Sequence, residues 1–461
     1  MNIDFALQLR QLEAPVESVF ALAGGKIRDL DTNWDPARGA PVYTIEGKYT
    51  TRGWTEWTQG FQYGAALLTF DATGDDGLLE LGRDGMRRVM PAHLTHVGVH
   101  DHGFNTMSTY GNLLRLAREG RWQATAGDVE HLQLAIRVSG AVQAARWTPL
   151  PGGLGYICSF NGPQSLFIDT IRSLRVLAAA HELGQVLMGE HDLRISLLHR
   201  LLQHLETTLR YNVFFGQGRD HYDTPGRVVH EALFNVNDGN YRCPSTQQGY
   251  SPFSTWTRGL AWAITGCAEM LEYLAEVPAE AVAEAAVPGL ATHAEAVQRV
   301  GAAAAATAEF YLANSAADGI PYWDTGAPGL AALGDWRATA SDPFNDHEPV
   351  DSSAAAIAAQ GLLRLAGLPK AVRPPGAERL LAAGLTVART LFAEPYLATD
   401  PAHQGVLLHT VYHRPNGWDH VPEGRRIPCG ESCQWGDYHA LELALLIRRL
   451  AAGGTLPWRA A

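Results

Sequence analysis

Apolar residues recur at helical spacing in about twelve segments of this 461-residue chain, and alternating strand-like runs are scarce. The spacing predicts helices over 3–24, 57–72, 76–94, 102–118, 124–142, 167–184, 188–210, 254–276, 291–315, 351–366, 370–392 and 436–451. Turn chemistry marks several joints, among them Thr73-Gly74-Asp75-Asp76-Gly77, Leu183-Gly184-Gln185 and Gly367-Leu368-Pro369. The Ala- and Glu-rich stretch 277–309 reads as surface helix rather than as a linker. Twelve helices make six hairpins, and each hairpin must bury one face against its neighbours. The expected fold is therefore all-α, an (α/α)6 barrel, with residues 1–461 forming a single domain. Four irregular stretches, 143–166, 211–253, 319–350 and 393–435, exceed ordinary helix connections. They carry many of the aromatic, His and Gly residues, and loops gathered over one mouth would bring these together.

Composition narrows the partners. Net charge is −12 and the pI about 5.8, which argues against nucleic acid. No apolar run reaches membrane-spanning length. The start, Met1-Asn2-Ile3-Asp4-Phe5-Ala6, lacks a basic region followed by an apolar core. The five cysteines are scattered, and Cys429-x3-Cys433 lacks the second pair of a zinc site. A cytoplasmic location with reduced thiols is expected.

One carboxylate stands out. Asp169 follows Ser165-Leu166-Phe167-Ile168 and precedes a run containing Leu174, Val176 and Leu177. Ionising it among such neighbours is costly, so it needs partners or a proton. A carboxylic acid that keeps its proton can act as a general acid, although a structural helix cap is the plain alternative. Asp101, in His100-Asp101-His102-Gly103-Phe104, stands at a helix start, where the backbone favours a negative charge. The pair is thus expected to divide the work, with Asp101 ionised and Asp169 protonated. His93, His96, His100 and His102 invite a metal reading, but no matching carboxylate or Cys cluster follows. Thr246 to Trp262 is dense in polar and aromatic residues, with Ser254 or Thr255 available to cap a helix. Arg258 there can bind a carboxylate, and Trp256 and Trp262 offer flat faces for a sugar ring. His230 follows a polar loop, and Trp57 opens a helix; either can equally be structural. Tyr322-Trp323-Asp324 reads as a strand-like loop and Asp351-Ser352-Ser353 as an N-cap, while Trp435-Gly436-Asp437-Tyr438 begins the last helix.

In this order, Trp57-Thr58-x-Gly60-Phe61, His100-Asp101-x-Gly103-Phe104, Ile168-Asp169 and Gln248-Gly249 form a recurring pattern. It continues through Ser254-Thr255-Trp256-Thr257-Arg258-Gly259-x-Ala261-Trp262, Tyr322-Trp323-Asp324, Asp351-Ser352-Ser353-Ala354 and Trp435-Gly436-Asp437-Tyr438. From about Trp57 to Tyr438 the chain resembles the unsaturated glucuronyl hydrolases of glycoside hydrolase family 88. The resemblance implies an (α/α)6 barrel that removes a 4,5-unsaturated uronic acid from the non-reducing end of lyase-made oligosaccharides. By position, Asp169 matches the family's catalytic acid/base and Asp101 its second essential aspartate. His230 matches an active-site His, and Trp57, Gln248, Arg258 and Trp262 match substrate-site positions. His100 adjoins Asp101 in its motif and is counted with the substrate site. Phe160 would replace a family Trp that stacks on the sugar. No metal or other cofactor is implied.

Some positions depart from the family pattern. Gln247 stands where some members have a His, and Gln59 replaces an acidic residue. The region 325–350 is long, and Arg414 and Gly424-Arg425-Arg426 are distinctive. These leave the aglycone preference open. Competing readings are an unsaturated rhamnogalacturonyl hydrolase, a glycosidase for saturated substrates, a non-catalytic sugar-binding barrel, and an epimerase.

Overall fold

The computed structural model describes residues 1–52 and 57–458. Its helices are α1 (Glu13–Asn33), α2 (Gln59–Thr73), α3 (Asp76–Val89), α4 (His102–Thr106), α5 (Asn112–Arg118), α6 (Ala126–Ala145) and α7 (Thr170–Glu182). There follow α8 (Leu197–Tyr211), α9 (Thr257–Leu274), α10 (Ala279–Glu284), α11 (His293–Ala313), α12 (Ser352–Gly367), α13 (Ala377–Leu391) and α14 (Gln434–Ala451). A π-helical turn, Met107–Gly111, joins α4 to α5, so the two run as one element over the expected 102–118.

Six of these elements close a ring: α2, α4–α5, α7, α9, α12 and α14, the last packing back on α2. Outside them lie α3, α6, α8, α11, α13 and α1, each against an inner partner. The inner helices are buried nearly all round, as Leu260-Ala261-Trp262-Ala263-Ile264 in α9 illustrates. The outer ones keep a polar face, as Arg200, Arg210 and Tyr211 do on α8. The architecture is the expected all-α barrel, and no helix among the described residues is long and apolar enough to cross a membrane.

Several boundaries differ from expectation for identifiable reasons. Helix α1 begins at Glu13 and runs to Asn33, not over 3–24. Pro15 is tolerated in its first turn, and Gly24-Gly25 sits inside it rather than ending it. Burial of Val16, Val19, Phe20, Ala23 and Leu30 outweighs the cost of the glycines, about 1 kcal/mol each. Residues 188–196 belong mostly to an antiparallel hairpin, Val186–Met188 with Arg194–Ser196, and α8 starts only after Ser196 caps it. The residues 370–376 precede α13 as loop, and Pro91 turns the end of 76–94 into a 3-10 segment. The long loops also hold short strands, notably the three-stranded sheet of Ser165–Phe167, Glu231–Phe234 and Tyr241–Ser245.

The barrel axis is filled by charge as well as by hydrocarbon. Arg172 of α7 donates to Glu269 of α9 at 3.0 Å, to Glu442 of α14 at 2.7 Å and to His439 Nε2. Arg175 lies 3.4 Å from Glu269, and Arg364 of α12 4.0 Å from Glu442. Burial opposes the charge on Arg172, but the two glutamates outweigh it and hold its proton more firmly than usual. Burial likewise opposes ionisation of Glu442, and Arg172 and Arg175 overcome it. Glu269→Ala leaves two buried guanidinium groups undercompensated and should cost about 3–5 kcal/mol in denaturant unfolding. A loss below about 1 kcal/mol would show that the axis does not need this carboxylate.

Candidate active site

The inner helices point their N-termini to one end of the barrel, and the residues singled out by sequence collect there. Asp101 stands at the N-cap of α4 and Asp169 at that of α7, yet neither side chain makes a capping hydrogen bond. Their proximity depends on Gly103. A Cβ on it would come within 2.3 Å of Ser173 Cα, so only glycine lets α4 lie this close to α7. Gly60 does the same for α2 against Asn105.

His100 bridges the aspartates. Its Nε2 lies 3.3 Å from Asp169 Oδ1 and 3.6 Å from Asp101 Oδ1. Burial raises the Asp101 carboxyl to about 6, with the nearby Asp169 charge adding to the effect against the pull of His100. Burial works the same way on Asp169, but the His100 hydrogen bond and the charges of His100 and His230 reverse it, leaving its pKa below the ordinary value. Burial disfavours the His100 cation, yet Asp101 and the bond to Asp169 lift it above its usual value. The expected division is thus reversed in the free site: Asp101 holds the proton more tightly, and Asp169 is the more readily ionised. The reason is local. Asp101 receives no capping bond to bring the helix start to bear on it, whereas Asp169 has His100 as a donor.

His230 is neutral and oriented. Burial lowers it to about 4. The Gln247 backbone N–H donates to its Nδ1 at 3.0 Å, so the ring proton sits on Nε2, which is buried with no hydrogen-bond partner among the described residues. The His230 ring packs against Phe167 at 4.2 Å and edge-on to Trp256 at 5.0 Å.

Arg258 occupies the first turn of α9, whose N-cap is Trp256 rather than Ser254 or Thr255; the Thr255 hydroxyl donates instead to the Val228 carbonyl. The Arg258 guanidinium donates to Asp351 at 2.7 Å, to the Val411 and Tyr412 carbonyls, and to Gln248 Oε1 at 2.9 Å. It also lies 4.7 Å from the Trp256 ring and 5.1 Å from that of Trp435. The expectation that Arg258 faces a substrate carboxylate therefore needs amendment. Four of its contacts are to protein, and Asp351, which also caps α12, offsets its charge. What Arg258 presents is Gln248: with Oε1 engaged, the amide NH2 is the group left for a ligand.

Trp57, Phe104 and Trp262 form the apolar floor, with Trp57 4.9 Å from Trp435 and Phe104 4.9 Å from Trp262. Phe160 forms part of the wall, its ring stacked 5.7 Å from His100. Among the described residues one pocket is lined by Trp57, His100, Asp101, Phe160, Asp169, Gln248, Arg258 and Trp262 together with Gln247, Trp256, Tyr412, His413 and Trp418. His230 stands immediately behind this lining. Tyr412, His413 and Trp418 were not singled out from sequence. Their signal was a His and two aromatics around the turn residues Pro415-Asn416-Gly417. Asp419 fixes them by accepting from the Tyr412 and His413 backbone N–H groups.

The remaining histidines do not join. His102 bonds Ser139 Oγ through Nδ1 and the His96 carbonyl through Nε2. No group of three or more His, Cys, Asp or Glu residues with metal-binding geometry occurs among the described residues. A larger cavity of about 470 Å³ opens near Glu272, Arg364 and Trp458, at the opposite ends of the inner helices. It contains no aspartate pair.

A closed helical barrel with paired aspartates at its mouth and aromatic walls around them has the form of a barrel glycoside hydrolase. No protein-family model matches the chain. It is 26% identical over 416 residues to the unsaturated glucuronyl hydrolase of Bacillus sp. strain GL1, covering 88% of this chain and 90% of that one. Identity to the unsaturated glucuronyl hydrolase of Formosa agariphila is 25% over 394 residues, covering 84% and 78%. The crystal structure of the Bacillus enzyme superposes with a TM-score of 0.68 at 23% identity, covering 95% of this chain and 97% of that one. Over most of its length the chain is thus similar to unsaturated glucuronyl hydrolases, in sequence and in fold.

The His230 geometry is open to direct measurement. Nitrogen-15 NMR should show one neutral tautomer, with the proton on Nε2, between pH 8 and about pH 5.5. An imidazolium signature at pH 6 would contradict the buried neutral ring.

Proposed function

We propose that this protein removes a 4,5-unsaturated uronic acid from the non-reducing end of lyase-generated oligosaccharides, the whole chain acting as one domain. The observation that carries the reading is the pair Asp101 and Asp169 sharing one His100 nitrogen inside an aromatic pocket. Two carboxylates on one imidazole form a common proton store, whereas a saturated glycoside requires an acid and a second carboxylate flanking the scissile bond. The Bacillus relative is described as responsible for the degradation of glycosaminoglycan, which supports the same substrate class here over a rhamnogalacturonyl one. The five free thiols support a reducing, cytoplasmic location.

The chemistry suits one acid that later serves as a base. An unsaturated uronide is a vinyl ether, so a proton added at C4 leaves an oxocarbenium-like cation at C5. Asp169 delivers that proton, drawn from the store it shares with Asp101 through His100. Water adds at C5, and Asp169, now a carboxylate, takes the proton that the water loses. The resulting hemiketal opens and expels the remaining sugar. Trp57, Phe160 and Trp262 receive the apolar faces of the ring, and the Gln248 amide donates to its polar groups. His230, held by the Gln247 backbone N–H and packed edge-on to Trp256, backs the same pocket. Neither metal nor redox cofactor enters these steps.

Absorbance of the unsaturated uronide band should decay with wild-type protein and lyase-generated disaccharides. Asp169→Asn should reduce that rate by at least about 10³-fold, as loss of an acid that acts in the transition state does. Substantial residual activity would exclude the assigned role. In heavy water the product should carry deuterium at C4, and label elsewhere would reject protonation there.

The pH profile has a definite sign. The pair must carry a proton, and Asp101 releases its own at about 6. Activity as kcat/KM should therefore be present below about pH 6 and fall tenfold per unit above it. A flat profile between pH 5 and 8 would rule out the shared proton store.

A further inference from the structure

The Phe160 wall is not part of the barrel. It rides on the loop between Ile157 and Ser165, whose base is pinned by Arg146 donating to the Cys158 carbonyl at 2.7 Å and the Ser159 carbonyl at 2.5 Å. The tip is held differently. Asn161 Oδ1 accepts from Gln247 Nε2 at 2.6 Å, and Asn161 Nδ2 donates to Glu231 at 3.0 Å. Gln247 is thereby engaged twice, since its backbone N–H is the donor to His230 Nδ1.

We propose that the Asn161–Gln247 hydrogen bond is a positioning clasp that joins the Phe160 loop to the Gln247-Gln248 loop across the pocket. The two ends of Gln247 do separable work. Its side chain sets the distance between Phe160 and the opposite wall, and its main chain sets which nitrogen of His230 carries the proton. Neither Asn161 nor Gln247 is required to touch a reacting atom. The clasp is made by two neutral amides, so it can open and re-form without moving a charge out of the buried Glu231 site. A sugar ring that slides between Phe160 and Trp262 meets a wall that this contact ties to the Gln247-Gln248 loop, beside the Asn161–Glu231 bond and the packing of Phe160 on His100. Arg146 keeps the base of the loop in place when the tip is released. Affinity should therefore depend on the clasp, and the proton-transfer step should not.

The proposal rests on the unsaturated uronide reading, and its test separates the two. Asn161→Ala, Gln247→Ala and the double variant are assayed on an unsaturated disaccharide beside wild type. Each single variant should raise KM about three- to tenfold, as expected for one lost hydrogen bond, with kcat changed less than twofold. The double variant should be no worse than Asn161→Ala, which already removes the clasp together with the Glu231 bond. Hydrogen exchange of residues 158–164 should quicken in all three, while the neutral Nε2–H signature of His230 persists, since the backbone N–H remains. Gln247→Met keeps the bulk without the donor and should behave as Gln247→Ala does if the alanine variant folds poorly. Independent KM losses that multiply in the double variant would overturn the clasp, as would a fall in kcat at unchanged KM. Unaltered exchange across 158–164 would overturn it too. Wild type inactive on the disaccharide would instead overturn the substrate reading, and the exchange measurement would still decide the clasp.

Discussion

Charge buried on the barrel axis is the constraint that the remaining structure must accommodate. Arg172 is fully buried and contacts Glu269, Glu442 and His439, which come from two other inner helices. An uncompensated guanidinium there would cost several kcal/mol, so α7, α9 and α14 are acceptable only in a register that delivers these partners together. Arg364 extends the condition to α12. The same cluster supports the site from below. His439 and Arg172 lie 5.0 and 5.7 Å from the Trp262 ring, and His439 also packs against Phe61. The floor on which a sugar would rest is therefore held by electrostatics as much as by apolar packing.

Above that floor, the design is a convergence of helix starts. Asp101, Asp169, Arg258, Asp351 and Trp435 each stand within a turn of an inner helix N-terminus, and the loops close over them. Of these, Asp351 acts as a conventional cap. Asp101 and Asp169 occupy cap positions without capping, which leaves their carboxylates available to His100. Withholding the capping bond costs helix stability and leaves two acids exposed to each other's charge. Function is thus visible as a local rule broken twice, at two helices brought together by Gly103.

How much of this was legible varies with the range of the interactions. The inner helices were readable because each is apolar around its circumference over several turns. The barrel followed from their number. The start of α1 was not readable, because Pro15 and the Gly24-Gly25 pair carry local signals that burial of Phe20 and Leu30 overrides. The aspartates were found from sequence, but which one keeps a proton was not. That depends on a histidine nitrogen equidistant, within a few tenths of an ångström, from residues 69 positions apart or adjacent. Arg258 was located correctly and its neighbours were not, since Asp351, Val411 and Tyr412 come from distant segments. Trp418 was missed for the same reason. Its ring packs at a tilt against Tyr412 and His413, whose backbone N–H groups the Asp419 carboxylate holds, and no periodicity marks it.

The closed floor has a consequence for traffic through the site. Trp262, Phe104 and the charged axis beneath them bar any passage along the barrel, so a polymer cannot thread through it. A substrate must enter by one terminus and leave by the way it came. Such an enzyme counts chain ends rather than mass. Its throughput is then set by how often another enzyme cuts, because each cut supplies a single new terminus of the required kind.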